Sequence, residues 1–236
     1  MDLDDIAQAF AGALSLIGGA DPRLLGIVAL SLQVSLTAVC CAALLGLPLG
    51  AALAVGRFPG RRAAIVTINA MMGLPPVVVG LVVYLLLSRA GPLGSLGLLF
   101  TPSAMVIAQT VLILPIIAAL CRQSVEDAWR EYEEQLRSLG VQGVPAALTV
   151  LWDIRFSLVT AVLAGLGRAC AEVGAVIIVG GNIDGVTRVM TTTIALETSK
   201  GDLPLALGLG IVLIAIVFAL NATAELVRGA AQRRYG

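Results

Sequence analysis

Residues 24–56 read LLGIVALSLQVSLTAVCCAALLGLPLGAALAVG, a run with no charged side chain between Arg23 and Arg57. A helix needs roughly 20 apolar residues to cross about 30 Å of hydrocarbon, so this run is long enough to span a bilayer. The pattern recurs outward from it. No charge falls between Arg62 and Arg89, between Arg89 and Arg122, or between Asp202 and Glu225, and only Arg168 and Glu172 interrupt the stretch from Arg155 to Asp184. Five candidate spans follow, near 31–55, 64–88, 102–121, 157–180 and 203–224. The whole composition agrees. Of 236 residues 58% are hydrophobic and 13% charged, with a mean hydropathy of +0.99. Ordinary soluble domains carry about 25% charged residues. So few charges could not cover this much apolar surface in water, which predicts an all-α integral membrane protein and excludes disorder, collagen and nucleic-acid binders.

Local signals set the boundaries. Gly91-Pro92-Leu93-Gly94 and Thr101-Pro102 punctuate the third gap, so only its later part spans, and Gly180-Gly181-Asn182 closes the fourth. Pro48, Pro75, Pro76 and Pro115 fall inside spans, where neighbouring helices must satisfy the carbonyls that a kink frees. Abundant Gly and Ala suit close helix packing.

Absences narrow the chemistry. There is no histidine, which removes His-based catalysis and His-ligated metal. The one lysine, Lys200, precedes Gly201 and follows no glycine-rich loop, so ATP is not bound here through a phosphate-binding loop. Cys40, Cys41, Cys121 and Cys170 lie in apolar stretches without metal-ligand spacing and read as packing residues.

Basic residues orient the chain. Ten lie on one side: Arg57, Arg61, Arg62, Arg122, Arg130, Arg137, Arg155, Arg228, Arg233 and Arg234. The other side has Arg23, Arg89, Arg188 and Lys200, and Arg168 lies within a span. The positive-inside rule puts the ten, and hence the C-terminus, in the cytoplasm. With five spans the N-terminus is outside. The acidic opening Met1-Asp2-Leu3-Asp4-Asp5 argues against a signal peptide. Ile6–Ala20 reads as a helix on the outer interface, the alternative being a sixth, tilted span that reverses the N-terminus. The expected organisation is an extracytoplasmic interfacial segment at 1–23, a transmembrane domain at 24–225 and a cytoplasmic tail at 226–236.

The longest polar stretch, 122–155, has helical character. Ser124 and Asp127 form a capping box before a segment from Val125 to Leu139 with Trp129, Tyr132, Leu136 and Leu139 at helical spacing. Gly140 suits a helix end, and a second short helix begins near Pro145. Two short helices joined at Gly140 make a rigid protrusion.

Glu134-Gln135-Leu136-Arg137-Ser138-Leu139-Gly140 resembles the EAA loop of ABC-importer permeases, with Glu134 and Gly140 matching and Gln135 and Leu136 replacing two alanines. Val150-Leu151-Trp152-Asp153 departs from that family's later Ile-x-Leu-Pro element. Further stretches resemble the molybdate/tungstate branch: Ser31 to Leu36, Phe58 to Arg62, Gly73 to Gly80, Ser88 to Gly94, Gly167 to Ala175 and Gly180 to Ile183. The runs Thr187 to Thr193 and Glu197 to Asp202 look most like the tungstate permeases. The resemblance covers about 24–225 and implies a type I ABC-importer transmembrane domain in a bacterial or archaeal cytoplasmic membrane. It implies no catalytic residue, no metal and no cofactor in this chain. ATP and Mg would be bound by partner ATPase subunits, an extracytoplasmic oxyanion-binding protein would deliver substrate, and nucleic acid plays no part. Coupling to the ATPase is implied for Glu134, Leu139, Gly140, Val141 and Gly143. Five helices are few to enclose a path for a hydrated anion, so a homodimer is expected.

Arg168 and Glu172 are four apart and are expected to share one helix face. Each alone would cost several kcal/mol near the bilayer centre. Two readings stand together: an ion pair that pins the fourth span, or a polar element lining the path. Beyond it, Asn182, Asp184, Thr187, Arg188, Thr191, Thr192 and Thr193 offer hydroxyls and one guanidinium. These suit brief contact with an oxyanion, or else they cap and anchor an interfacial helix. The resemblance favours this segment as an outer gate, with Pro75 and Pro76 as gate hinges or simple kinks. A self-sufficient secondary transporter would want ion-coupling carboxylates or an internal repeat, and only Glu172 qualifies. A non-transporting scaffold is the remaining rival.

Overall fold

The computed structural model describes residues 3–138, 140 and 143–235. Among them are ten α-helices, one 3-10 turn at Gly94–Leu96 and no strand. In chain order the helices are α1 (Leu3–Gly18), α2 (Pro22–Val55), α3 (Arg61–Met72), α4 (Pro76–Leu87), α5 (Pro102–Ser138), α6 (Val144–Asp153), α7 (Arg155–Cys170), α8 (Gly174–Gly180), α9 (Met190–Lys200) and α10 (Leu203–Tyr235). Three helices are long and apolar enough to cross a membrane, and five crossings result if each bent pair is one span.

Several expectations need correction. The second span is not continuous. It stops at Met72 and restarts at Pro76, because Pro75 is extended (φ −63°, ψ 126°) and Pro76 fits the first turn of a new helix. The fourth span also breaks, at Ala171–Val173, so Glu172 lies beyond the end of α7 instead of on one helix with Arg168. At about 24 Å, α7 alone falls short of the hydrocarbon thickness. Helix α5 does not end near Cys121, and Ser124 caps nothing. Its 37 residues run unbroken for about 55 Å, so a long part extends past the apolar stretch. The expected second helix does begin around Pro145, which occupies the first turn of α6.

The chain forms two compact units, each assembled from three separate stretches. Unit 1 takes Met1–Ala38, Pro75–Gln109 and Arg168–Ala219, and unit 2 takes Val39–Leu74, Thr110–Gly167 and Leu220–Gly236. In unit 1, Leu24, Ile27, Met190, Leu205 and Leu209 form a buried cluster on which Leu16 and Ile17 of α1 pack. Asp21 Oδ1 starts α2 by accepting the amides of Arg23 (2.9 Å) and Leu24 (3.0 Å). In unit 2, Ala51, Cys121, Val125, Ala128 and Val150 form one cluster, and Leu53, Ile68, Ala118 and Ala119 another.

Helices α4 and α8 lie against each other at Gly80. A Cβ there would sit 2.8 Å from the Ala175 Cα, and backbone cannot yield as a side chain can. Gly80→Ala is therefore expected to force α4 from α8 at a cost of about 1–3 kcal/mol. It should appear as a lower melting midpoint of the purified protein. An unchanged midpoint would contradict this packing. Elsewhere α4 exposes Val78, Leu81, Val82, Leu85 and Leu86, which suits lipid and not water.

Candidate functional site: the α7–α8 break and the α5–α6 elbow

A helix that ends inside a membrane protein leaves carbonyls and amides that lipid cannot satisfy. In unit 1 polar side chains take up this task at the α7–α8 break. Glu172 is 4% exposed. Its Oε2 accepts from Arg168 Nη1 at 2.6 Å, and its Oε1 accepts from the Ala175 amide at 3.1 Å, capping the start of α8. Its backbone carbonyl accepts from Thr191 Oγ1 at 2.8 Å, which hooks α9 onto the break. At the end of α7, Ala169 O accepts from both the Glu172 amide (3.2 Å) and Gln109 Nε2 (3.2 Å). The Arg168 side chain keeps 37% of its surface open and Glu172 almost none. The pair is thus a buried anchor with one accessible cationic end.

The α8–α9 connection is built the same way. Gly181 and Asn182 both have positive φ (71° and 50°), reversing the chain after α8. Thr187 is buried, donates to Gly180 O at 2.6 Å and accepts from the Ile183 amide at 2.9 Å. Thr192, also buried, sits 2.9 Å from Asn182 Oδ1 and accepts from the Val189 amide at 3.2 Å. Thr193 Oγ1 donates to Val189 O. Arg188 pairs with Asp184 at 2.9 Å and reaches Asn182 O at 3.5 Å. The structure thus brings Asn182, Thr187, Arg188 and Thr192 together, and joins Arg168, Glu172 and Thr191. Most of these polar groups hold backbone. Pro75 and Pro76 open α4 in the same unit.

The elbow belongs to unit 2. Beyond Cys121, helix α5 turns Val125 and Ala128 inward, with Trp129 and Tyr132 beside them, against Val150, Leu151 and Ile154. Charge fixes its outer side. Arg61 Nε donates to Leu53 O at 2.6 Å and Nη2 to Ala54 O at 3.3 Å, satisfying the last carbonyls of α2. The same guanidinium meets Glu126 Oε1 at 2.6 Å, and Arg122 meets Glu126 Oε2 at 2.6 Å. The Tyr132 phenol, past the apolar part of α5, is raised above its ordinary pKa by the hydrogen bond and negative charge of Asp153.

Of the expected coupling residues, Glu134 is exposed, and Gly140 (φ 72°) and Gly143 (φ 67°) form the exposed bend between α5 and α6. Leu139 and Val141 lie outside the described residues. Gly143 has ψ −135°, a region that side-chain-bearing residues avoid. Gly143→Ala is expected to strain the bend by about 1–3 kcal/mol. The check is the ratio of solute moved to ATP hydrolysed, expected to fall while the protein still assembles. A wild-type ratio would count against the elbow.

Sequence reasoning missed the Arg61–Glu126 contact, because 65 residues separate the partners. It also passed over Gln109, although a lone amide in the apolar part of α5 is itself a signal. On α6, Leu148 and Trp152 are 61% and 72% exposed while Ala146 and Val150 are buried, an apolar outer stripe legible in the i, i+4 spacing.

Residues 46–236 match the family described as the binding-protein-dependent transport system inner membrane component. The chain belongs to that family. It is a permease subunit of an ABC importer, an all-α transmembrane domain of the type I class and not itself an enzyme. Membership implies a membrane location, ATPase subunits and a solute-binding protein as partners. The permease is 40% identical to the tungstate uptake system permease protein of Peptoclostridium acidaminophilum, over 93% of its own length and 96% of that protein. It is 41% identical to a probable anion ABC transporter permease protein of Haloferax volcanii, over 90% of this chain and 94% of the relative. The tungstate uptake system permease protein of Campylobacter jejuni is 38% identical, over 93% and 92%.

Proposed function

We propose that this permease carries tungstate into the cell as a homodimer, with its C-terminus in the cytoplasm. The observation that carries the reading is the near full-length similarity to two tungstate uptake permeases from different bacteria. The basic residues of the connecting regions support the orientation. Two copies would supply enough helices to surround a hydrated dianion.

In this reading an external binding protein selects the oxyanion, and separate ATPase subunits bind ATP and Mg. Their closure pushes on the elbow at Glu134, Leu139, Gly140, Val141 and Gly143. The push changes the relative stability of inward- and outward-open conformers, which is how a partner drives transport without touching the solute. Arg168 offers its open guanidinium to the passing anion, and Glu172 keeps the attraction from becoming a trap. Asn182, Thr187, Arg188, Thr191 and Thr192 hold the backbone of the outer gate, with Pro75 and Pro76 at its hinge.

The test is uptake into proteoliposomes holding this permease with its cognate ATPase and binding protein. Tungstate should accumulate only when ATP is supplied on the ATPase side, and should outcompete molybdate and sulfate. The purified complex should contain two copies of this chain, and a C-terminal reporter should lie inside the cell. Preference for molybdate or sulfate would overturn the substrate, and uptake without the ATPase would overturn the mechanism.

A further inference from the structure

One buried atom in unit 1 is left unexplained by the helix break. Gln109 is 3% exposed, and while its Nε2 donates to Ala169 O, its Oε1 has no partner among the described residues. An oxygen left unpaired in this way forfeits its hydration with nothing in return, and few folds tolerate it. Gln109 lines a cavity of about 10 Å³, together with Ser31 and Ser35 of α2, Glu172 and Thr191. That volume accepts a single water and nothing larger. Apolar voids of this size stay dry, but this wall is polar, and a water needs two to four polar partners.

We propose that this cavity is a binding site for one water molecule, which donates to Gln109 Oε1 and bridges α2, α5 and the α7–α8 break. Ser31 and Thr191 are already committed, to Ile27 O and the Met190 amide and to Glu172 O respectively. The Ser35 hydroxyl also meets the Cys170 thiol, which leaves its oxygen and the Glu172 carboxylate as acceptors for the water's other proton. The transported oxyanion does not fit this space, and a carboxylate in the wall would repel it. A metal cation is disfavoured because Arg168 already balances Glu172. The site completes the hydrogen bonding of a broken helix with solvent that is part of the fold.

The experiment is a map of the assembled transporter in lipid, at a resolution that shows ordered water. An isolated density within hydrogen-bonding distance of Gln109 Oε1 is expected, and it should vanish in Gln109→Leu while the surrounding helices stay in place. An empty cavity between well-resolved Gln109 and Ser35 side chains overturns the proposal, as does density that persists in Gln109→Leu. If the variant fails to assemble, the wild-type map decides alone.

Discussion

Glu172→Leu is expected to abolish uptake and to leave little assembled permease. The carboxylate holds Arg168 at 2.6 Å and the Ala175 amide in the first turn of α8 at 3.1 Å, with only 4% of its surface open. Removing one member of a buried ion pair costs about 3–5 kcal/mol, because the other charge stays behind. The lower end applies, since the Arg168 side chain is 37% exposed. Loss of the helix cap adds about 0.5–2 kcal/mol. The total is a large share of the 5–15 kcal/mol that holds a typical domain together. Glu172→Gln keeps the cap and loses the charge, so it should be intermediate. Size-exclusion profiles and melting midpoints of the purified protein check this order. A Glu172→Leu protein that assembles and melts like wild type would remove Glu172 from its assigned role.

Glu126→Ala should act differently, leaving assembly largely intact and severing motion from fuel. Glu126 accepts two hydrogen bonds of 2.6 Å, from Arg61 and Arg122, and is only partly buried. Both pairs are partly open to solvent, so each contributes about 1 kcal/mol, and without the carboxylate two guanidinium groups face each other. The end of α2 then loses its tie to the polar end of α5. ATP hydrolysis by the partner should continue, while uptake per ATP falls about tenfold or more, as a loss of 1.4 kcal/mol or greater implies. Glu126→Gln should recover part of the coupling. An unchanged ratio in Glu126→Ala would show that this ion triad transmits nothing.

The crossings were legible because lipid imposes one strong rule, and charge-free runs report it directly. Residues 24–55 and 203–224 lie within continuous helices, α2 and α10. The breaks were harder. Pro75 and Pro76 announced a disturbance, but a proline pair inside an apolar run looks the same as a kink. Around Ala171–Val173 the one helix-end signal is Gly174, weak among the many glycines of these spans. Glu172, Gln109 and Thr191 satisfy the backbone of that break, and the last two reach it from 60 and 19 residues away. For the same reason the hydroxyls after Asn182 read equally as solute contacts or as helix caps when taken one by one, and most of them hold backbone. The expected cap at Ser124 failed because α5 continues through it on the packing of Val125 and Ala128.

The interleaving of the two units bears on how a cell makes this protein. Unit 1 draws on residues as late as Ala219, and unit 2 needs the chain beyond Leu220. Unit 1 cannot finish before Ala219 has been made, nor unit 2 before the chain beyond Leu220. Earlier helices must wait in the translocon or the surrounding lipid, with Arg168 and Glu172 already synthesised and their neighbours not yet locked. A chain cut short before the last helix therefore lacks a stretch that each unit needs.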